Sequence, residues 1–242
     1  MIRELLPPGT EVVEVYGDPP QARLHPAEEP LVAHAVESRR REFTTVRHCA
    51  RTALARFGFA GPPLLPGRRG APRWPDGIVG SMTHCAGYRA AAVAWASATA
   101  ALGIDAEPDL PLPAGMLETV SLREERARMP RLRAAVTGIA WDRLLFSAKE
   151  AVYKAWFPLT GRVLDFPEAD LVFAVPPPGV RQGTFRARLL VPGPLLGGRP
   201  VAVFEGRWTA VGGLLASAVV VAQPATAISR ASAAFESTPN LL

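Results

Sequence analysis

Twice along the chain, a long helical pattern is followed by several short apolar runs that are typical of β-strands. The first helical pattern covers residues 29–57, where apolar residues recur every three or four positions and Gly58 offers a C-terminal cap. The second covers about residues 138–157. This order of elements predicts an α+β fold with two pseudo-symmetric halves, each a long helix packed on a small, mainly antiparallel sheet. We expect the functional site in the cleft between the halves.

Seven strands are predicted from apolar runs that end at turn or breaker residues. Three follow the first helix, at residues 78–82, 89–95 and 101–107, and four follow the second, at 170–175, 184–191, 201–209 and 214–222. The predicted division places residues 1–107 in the first half and 108–222 in the second. Residues 223–242 are rich in Ala, Ser, Thr and Pro, so we expect a disordered tail. The two halves show no obvious residue-level repeat.

Composition narrows the class of protein. Apolar residues make up 48% of the 242 residues, which is enough for a substantial core. No apolar run reaches the roughly 18 residues that span a bilayer, and the first residues lack the features of a signal peptide. The two cysteines, Cys49 and Cys85, have no metal-binding spacing and form no disulfide framework. We therefore expect a cytoplasmic monomer that does not bind membranes.

The net charge of +5 and the isoelectric point near 9.9 predict an anionic partner. A nucleic acid, a phosphorylated cofactor and an acidic protein would each satisfy this charge. Arginines are concentrated in the first helical pattern, at Arg39, Arg40, Arg41, Arg47 and Arg51. Charge alone does not choose among the three kinds of partner.

Carboxylates interrupt the apolar pattern at two places. Asp105 and Glu107 lie two residues apart in the predicted strand 101–107, so both side chains leave the same face of the sheet. Glu150 and Lys154 lie four residues apart on the second helix and are therefore neighbours on one face. Buried carboxylates are costly unless they are paired or bound to a cation. Three of them would form an all-oxygen site that suits Mg²⁺ and phosphate better than zinc, which predicts metal-assisted phosphoryl chemistry.

Four segments carry a family resemblance. They are Gly-Ile-Asp-Ala-Glu at 103–107, Phe-Ser-Ala-Lys-Glu-Ala-Val-Tyr-Lys at 146–154, Gly-Ser-Met-Thr-His-Cys-Ala-Gly-Tyr at 80–88, and Arg-Arg-Arg-Glu-Phe-Thr-Thr-Val-Arg-His-Cys-Ala-Arg at 39–51. With them the chain resembles the 4′-phosphopantetheinyl transferases of the surfactin-synthetase-activating and enterobactin-component-D type, and most of all their actinobacterial members. Such enzymes move the phosphopantetheine arm of coenzyme A onto a serine of an acyl or peptidyl carrier protein and leave adenosine 3′,5′-bisphosphate. The resemblance names no single pathway among fatty-acid, polyketide, siderophore and nonribosomal peptide synthesis.

The resemblance implies a metal site and catalytic residues. It assigns Asp105, Glu107 and Glu150 to a Mg²⁺ ion, with Mn²⁺ as an alternative that accepts the same oxygen ligands. Glu150 would also help to take the proton from the serine, and Lys154 would meet the pyrophosphate or the charge on the leaving group. Asp105, Glu150 and Lys154 are therefore the predicted catalytic residues.

The resemblance also implies a set of residues that bind coenzyme A. His84 would contact the 3′-phosphate, with Ser81 and Thr83 lying along the cofactor. Arg39 and Arg47 would hold phosphates through the guanidinium fork. Where some relatives have a lysine at the start of a glycine turn, this chain has Pro66-Gly67-Arg68-Arg69-Gly70, and Arg69 is expected to supply the charge. Lys149 and Lys154 complete the predicted set.

The carrier protein is expected to dock on residues 122–133. This segment contains five arginines, and Met116 and Leu117 lie beside it in the sequence. Carrier proteins of this kind are usually acidic, so a basic rim would attract them. Charge reversal at Arg126 and Arg128 is then expected to raise the KM for the carrier without raising the KM for coenzyme A.

Two other functions remain open at this point. A metal-dependent phosphodiesterase acting on coenzyme A or nucleotides would use the same carboxylates and transfer the phosphoryl group to water. A basic nucleic-acid-binding module would use the arginine-rich helix at 39–51, although the sequence has no helix-turn-helix spacing, zinc motif or aromatic RNA-binding strand motif. The family resemblance favours the transferase, and it predicts no nucleic-acid partner.

Overall fold

The computed structural model describes residues 1–224, so the tail predicted at 223–242 lies outside the described residues from residue 225 onward. Two antiparallel sheets, each packed against one long helix, make up most of the described chain. The strand order is β1-β3-β2 in the first sheet and β4-β10-β9-β6-β5 in the second, and a short pair, β7-β8, stands apart. The predicted α+β class is therefore confirmed. No helix in residues 1–224 is both long and apolar enough to cross a membrane.

The elements follow the predicted order closely. The first sheet and its helix consist of β1 (Glu11–Tyr16), α1 (Glu37–Ala55), β2 (Ile78–Cys85) and β3 (Tyr88–Trp95). The second part begins with β4 (Thr99–Pro108), α2 (Met116–Val120), α3 (Arg123–Ala135) and α4 (Trp141–Thr160). It ends with β5 (Ala169–Phe173), β6 (Gln182–Leu189), β7 (Leu195–Leu196), β8 (Arg199–Pro200), β9 (Val203–Val211) and β10 (Leu214–Ala222). All seven predicted strands are present, whereas β1, β7 and β8 were not predicted.

Helix α1 begins later than its apolar pattern predicts. The pattern starts at residue 29, but the α-helix starts at Glu37, after a separate 3-10 turn at Pro26–Val32. Pro30 lacks the N–H that a continuous helix needs, and Val36 is extended, with a ψ of 154°. The predicted end is close, because Gly58 takes a φ of +86° just beyond the helix. A left-handed glycine at this position is a common helix stop.

The two sheets share one pairing rule. In each, the strand that precedes the long helix pairs antiparallel with the last strand: β1 with β3, and β4 with β10. The predicted division at residue 107 placed β4 in the first half, whereas its backbone pairing puts it at the edge of the second sheet. The close contact of β4 with α4 explains this placement, because a Cβ added at Gly103 would lie 2.0 Å from the Ala151 carbonyl oxygen.

The other edge of β4 faces β2, and side-chain hydroxyls join the two strands there. The Ile104 N–H donates to Ser81 Oγ at 3.1 Å, and the Ala106 N–H donates to Thr83 Oγ1 at 3.0 Å. Buried N–H groups need acceptors, and these two hydroxyls supply them without a backbone ladder. We call this junction of β2 and β4 the hydroxyl seam.

A buried carboxylate holds the first half together. Glu28, 0% exposed, lies in the 3-10 turn before α1 and accepts the His25 N–H at 3.0 Å. It also accepts the Leu64 N–H at 2.8 Å, from the loop after α1, and it pairs with Arg51 Nη1 of α1 at 2.7 Å. The same carboxylate thus binds a turn, the long helix and the segment that follows it. We call this arrangement the Glu28 clasp.

The second half contains the same arrangement. Glu125, 3% exposed, lies in α3 and accepts the Leu122 N–H at 2.7 Å. It accepts the Leu171 N–H of β5 at 2.8 Å and pairs with Lys149 Nζ of α4 at 2.9 Å. This Glu125 clasp matches the Glu28 clasp partner by partner. The structure therefore reveals a repeat of hydrogen bonds and ion pairs that the sequence comparison of the halves did not show.

Three apolar clusters fill the interior. One packs α1 on the first sheet, and the largest packs α3 and α4 on the second sheet around Trp141, Trp156 and Trp208. The third lies between the two sheets and contains residues of both, such as Tyr88 and Ile104. Fully burying a side chain of this size stabilises the fold by about 1.5–3 kcal/mol. The shared cluster therefore holds the two sheets together.

Candidate functional site

A cavity of about 630 Å³ opens between α1, the loop at 60–77, strand β2 and the C-terminal part of α4. This volume is typical of sites for small ligands and cofactors. Residues from both halves line it, and six of the predicted site residues are among them: Arg39, Arg47, Arg69, Ser81, His84 and Lys154. The structure thus brings together most of the residues predicted to bind coenzyme A.

Four of the lining side chains are cationic and come from three different elements. Arg39 and Arg47 project from α1, Arg69 from the loop and Lys154 from α4. Such a convergence of guanidinium and ammonium groups creates a strongly positive concave surface. The cavity is therefore suited to a ligand with several phosphate or carboxylate groups.

His84 adds a hydrogen-bonding group to this surface. Its Nε2 lies 2.6 Å from Arg39 Nη1, and Glu42 Oε2 lies 3.6 Å from the same nitrogen. Burial lowers the pKa of His84 below its usual value, and the charge of Arg39 lowers it further. A neutral imidazole can accept the hydrogen bond that Arg39 donates. This hydrogen bond therefore holds the Arg39 and His84 side chains together at the cavity wall.

Arg47 is unusual because it is both cationic and only 7% exposed. Its guanidinium carbon lies 3.3 Å from the centre of the Phe43 ring. Burial lowers the pKa of Arg47 to about 10, so the group still carries its charge at neutral pH. Among residues 1–224, its buried Nε has no hydrogen-bond partner. Arg47 nevertheless lines the cavity, so its positive charge acts on a ligand bound there.

Arg69 occupies a strained backbone conformation. It is the one non-glycine residue with a positive φ in the described chain, with φ 53° and ψ 29°. The turn around it is fixed by hydrogen bonds from Gly67 N to the Ala71 carbonyl at 2.6 Å and from Arg73 N to the Leu65 carbonyl at 2.9 Å. Strain of this kind concentrates at functional sites. It holds Arg69 at the tip of a turn that borders the cavity.

Asp105 connects the cationic cavity to the carboxylates. The carboxylate is 5% exposed, and its Oδ1 accepts Lys154 Nζ at 2.7 Å and Thr83 Oγ1 at 3.3 Å. Lys154 also donates to the Ile104 carbonyl at 3.1 Å. The other oxygen, Asp105 Oδ2, is buried and has no hydrogen-bond partner in the described residues. An unsatisfied buried carboxylate oxygen is costly, and a bound cation would satisfy it.

The negative charge of Asp105 raises the pKa of the other two predicted metal ligands, Glu107 and Glu150. Burial raises the pKa of Glu107, and the negative charge of Asp105 raises it further, against the opposing effect of Arg143. Arg143 Nη1 lies 3.0 Å from Glu107 Oε2. Burial also raises the pKa of Glu150, where Lys154 opposes and Asp105 adds to the shift. Asp105 is thus close enough to repel each of the other two carboxylates.

In the described residues, no three acidic, histidine or cysteine side chains converge tightly enough to form a ready-made metal site. Two of the three predicted ligands are instead paired, Asp105 with Lys154 and Glu107 with Arg143. The donor set nevertheless fits a hard divalent cation, because it is all oxygen and includes the orphaned Asp105 Oδ2. Mutual repulsion among the carboxylates favours such a cation as well.

Three predicted coenzyme A ligands have other partners. Ser81 and Thr83 direct their hydroxyls into the hydroxyl seam, and Thr83 is not among the residues that line the cavity. Lys149 is 4% exposed and donates to the Phe166 and Ala169 carbonyls at 2.7 and 2.9 Å, besides its place in the Glu125 clasp. The expected ligand role of Lys149 therefore conflicts with its geometry, since its ammonium group is already fully bonded.

The segment predicted to dock the carrier is the helix α3. Arg128 forms a two-point ion pair with Asp170, at 2.6 and 3.3 Å, and Arg126 donates to the Ser121 carbonyl at 2.8 Å. Both are bound within the chain, so charge reversal there would disturb the fold as well as a docking surface. The exposed arginines of this segment are Arg123, Arg131 and Arg133.

Some residues around the site were missed by the sequence analysis. Arg143, which binds Glu107, is one helical turn before Ser147 on α4 and belongs to no motif. Glu28 lies one residue before the predicted helix 29–57, in a proline-containing turn that the sequence analysis did not identify. A signal for β1 did exist, because Val12, Val13 and Val15 form a β-branched run between glycines.

Comparisons with known proteins give two family models that match the chain and several similar proteins. The family model described as 4′-phosphopantetheinyl transferase N-terminal domain matches residues 27–94, and the model described as 4′-phosphopantetheinyl transferase superfamily matches residues 101–189. The chain is 57% identical over 228 residues to the 4′-phosphopantetheinyl transferase Svp of Streptomyces mobaraensis, covering 93% of this chain and 91% of the relative. It is 50% identical over 208 residues to the 4′-phosphopantetheinyl transferase PptT of Mycobacterium tuberculosis, covering 86% and 90%. It is 48% identical over 225 residues to the 4′-phosphopantetheinyl transferase Npt of Nocardia iowensis, covering 92% and 100%.

Proposed function

The chain belongs to the 4′-phosphopantetheinyl transferase superfamily, a family of enzymes, and on this premise we propose the reaction it catalyses. It transfers the 4′-phosphopantetheine moiety of coenzyme A to a serine of an apo acyl or peptidyl carrier protein. The transfer depends on Mg²⁺ and releases adenosine 3′,5′-bisphosphate. The observation that supports this most is the cationic cavity, which Lys154 joins to a buried carboxylate group.

The adenosine phosphates of coenzyme A bind in the cavity. Arg39 and His84 hold the 3′-phosphate, because the two groups already lie 2.6 Å apart at the cavity wall. Arg47 and Arg69 bind the remaining phosphate charge, for which the guanidinium fork is well suited. Ser81 lines the same wall and contributes its backbone, since its hydroxyl is bonded to β4.

Asp105, Glu107 and Glu150 would hold the Mg²⁺ ion, and Mn²⁺ is an alternative with the same ligand preference. A bound divalent ion would neutralise the pyrophosphate and polarise the bond that breaks. Asp105 offers its Oδ2 to the ion, because this oxygen has no hydrogen-bond partner in the described residues. Glu107 offers both of its oxygens only if Arg143 releases Oε2.

The ammonium group of Lys154 lies close enough to reach the pyrophosphate by a short movement, and its positive charge would act there. It leaves Asp105 and meets the pyrophosphate, where its charge stabilises the leaving side of the reaction. Glu150 accepts the proton of the carrier serine, a role that its raised pKa supports. The serine oxygen then forms a bond to the β-phosphorus as the bond to the adenosine bisphosphate breaks in line.

We assign the two halves different tasks. The first half supplies α1, the loop and β2 to coenzyme A, and the second supplies the metal-binding helix α4 and the carrier-docking helix α3. The carrier, an acidic domain, meets the exposed arginines of α3. We place the enzyme in the cytoplasm as a monomer, which agrees with its free, buried cysteines.

The burial of two key arginines argues against nucleic-acid binding. Arg47 is 7% exposed, and Arg51 is bonded to Glu28, so neither offers its charge to a duplex. Hydrolysis of coenzyme A differs from transfer only in the nucleophile. An experiment must therefore distinguish hydrolysis of coenzyme A from transfer to the carrier serine.

The test is intact-protein mass spectrometry of an apo carrier domain incubated with this enzyme and coenzyme A, in Mg²⁺ or in EDTA. We expect the carrier to gain one phosphopantetheine in Mg²⁺ and none in EDTA, with adenosine 3′,5′-bisphosphate released in equal amount. A carrier with its serine changed to alanine is the matched control. Breakdown of coenzyme A without any modified carrier would show hydrolysis and contradict the proposal.

A further inference from the structure

The Glu28 clasp lies directly behind two walls of the cavity. Through Arg51 it binds α1, the helix that also carries Arg47 one turn earlier. Through the Leu64 N–H it binds the start of the loop that carries Arg69. A single buried carboxylate is therefore connected to both arginines that we assign to the phosphates.

The negative charge of Glu28 lies between two largely buried arginines of α1. Arg47 and Arg51 are one helical turn apart, and both side chains are largely buried, at 8% and 14% exposure. Glu28 Oε1 lies 3.8 Å from Arg47 Nε, too far for a hydrogen bond but close enough for strong attraction. Without Glu28, two buried guanidinium groups would repel each other with no compensating anion. With it, the three groups keep a net positive charge, which the cavity can offer to a phosphate.

We propose that Glu28 is a positioning residue for coenzyme A, which holds Arg47 and the Arg69 loop in the arrangement that binds the adenosine phosphates. This inference rests on the function proposed above. Glu28 itself is 0% exposed and does not line the cavity, so it acts through its partners and does not touch the ligand. At metal sites, carboxylates behind the direct ligands commonly orient those ligands in this way.

The Glu125 clasp supplies a matched control within the same chain. Glu125 has the same kinds of partners and similar burial, but its cation, Lys149, does not line the coenzyme A cavity. Neutralising either carboxylate should therefore reduce the stability of its own half. Only neutralising Glu28 should change the affinity of the cavity for an anionic ligand.

The experiment compares Glu28→Gln with Glu125→Gln in the full-length protein. Binding of adenosine 3′,5′-bisphosphate is measured by calorimetry at a temperature where circular dichroism shows each variant to be folded. We expect Glu28→Gln to bind about tenfold more weakly than the unaltered protein, and Glu125→Gln to remain within about twofold of it. In steady-state assays, the KM for coenzyme A should rise about tenfold in Glu28→Gln, while kcat and the KM for the carrier change little.

Glu28→Asp keeps the charge on a shorter side chain and should recover part of the lost affinity, and it replaces Glu28→Gln if that variant fails to fold. Unchanged affinity in Glu28→Gln, or an equal loss in Glu125→Gln, would overturn the positioning role. An unaltered protein that does not bind adenosine 3′,5′-bisphosphate would instead contradict the proposed function on which this role depends.

Discussion

At the scale of single residues, the site keeps its functional groups in costly states. Within residues 1–224, Asp105 has a buried oxygen without a partner, Arg47 is a buried cation, and Arg69 has a left-handed backbone. Each state costs free energy in the unliganded protein and would be relieved by a cation or an anion of the right kind. The sequence predicted which residues these are, through motifs, but it could not predict their strain, which arises from contacts made after folding.

The backbone of Arg69 gives the sharpest residue-scale prediction. Arg69→Gly should increase the free energy of unfolding by about 1 kcal/mol, because glycine adopts a φ of 53° without steric cost. The same change should weaken coenzyme A binding, because it removes a cation from the cavity. Urea unfolding and the KM for coenzyme A measure the two effects. Arg73→Gly, which alters the next arginine but not the strained position, is the control, and a gain in stability there would contradict the explanation.

At the scale of elements, β4 is the strand on which both sheets depend. It pairs with β10, packs against α4 and receives the hydroxyls of β2 on its free edge. Its apolar residues and turn signals are local features of the sequence, so the strand was predicted correctly, while the metal-binding role of its two acids stays a prediction. Its sheet was not, because strand pairing depends on distant partners that no local pattern identifies.

The contact between β4 and α4 should tolerate no side chain at Gly103. Gly103→Ala would place a Cβ 2.0 Å from the Ala151 carbonyl oxygen and 2.8 Å from the Ala155 nitrogen, so one backbone must move. We expect a loss of about 3 kcal/mol in the free energy of unfolding, together with a loss of activity, because the shift separates Asp105 from Lys154. The control is Gly179→Ala, in a turn where a Cβ meets nothing within 4 Å. Its cost should stay near 1 kcal/mol, and equal costs at the two positions would contradict the contact.

Helix α3 was predicted only as a charged segment, because its buried residues Glu125, Met129 and Leu132 include an acid and break the apolar pattern. The structure separates its arginines into bound and exposed groups. This corrects the choice of residues for a docking test, since Arg128 holds Asp170 on β5.

Charge reversal at the exposed positions, Arg123→Glu with Arg131→Glu, should raise the KM for an acidic carrier several-fold and leave the KM for coenzyme A unchanged. The effect should shrink as ionic strength rises, because salt screens charges at the surface. Arg128→Glu, in contrast, should lower the melting temperature by breaking a partly buried ion pair. Steady-state kinetics at two salt concentrations tests the pair, and an equal rise in both KM values would exclude a docking role for α3.

At the scale of the whole molecule, the two halves repeat a clasp as well as an order of elements. The order was predictable because helical and strand periodicities are local. The clasps were not, because their cations differ, Arg51 in one half and Lys149 in the other, and because two partners are backbone N–H groups that carry no sequence signal. The two halves thus share a pattern of bonds although the cations that form it differ.

The carboxylate group should make the metal-free protein sensitive to pH. The pKa of Glu150 is raised above its usual value of 4.5, so the folded state holds this proton to a higher pH than the unfolded chain does. Stability is therefore lost as the pH rises from about 4.5 through the raised pKa. Glu150→Gln, which mimics the protonated form, should be more stable than the unaltered protein at pH 7.5 in EDTA and equally stable below pH 4.

Thermal unfolding across this pH range measures the difference. Mg²⁺ should raise the melting temperature of the unaltered protein at pH 7.5, because it binds the folded state, and should do so much less in Glu150→Gln. If the difference in melting temperature between the unaltered protein and Glu150→Gln grew toward low pH, the pKa of Glu150 would be lowered and not raised. An equal response of both to Mg²⁺ would remove Glu150 from the metal site.

The hydroxyl seam has a consequence for motion. Within each sheet, neighbouring strands are joined by backbone hydrogen bonds. Across the hydroxyl seam, β2 and β4 are joined by the side-chain hydroxyls of Ser81 and Thr83. Widening the cleft to admit a carrier would break those two bonds and leave both ladders intact. The amide protons of Ile104 and Ala106 should therefore exchange with solvent deuterium faster than those within the β9–β10 ladder, and bound coenzyme A should slow them. The exchange rates of these two amides would measure opening of the cleft separately from unfolding of the protein.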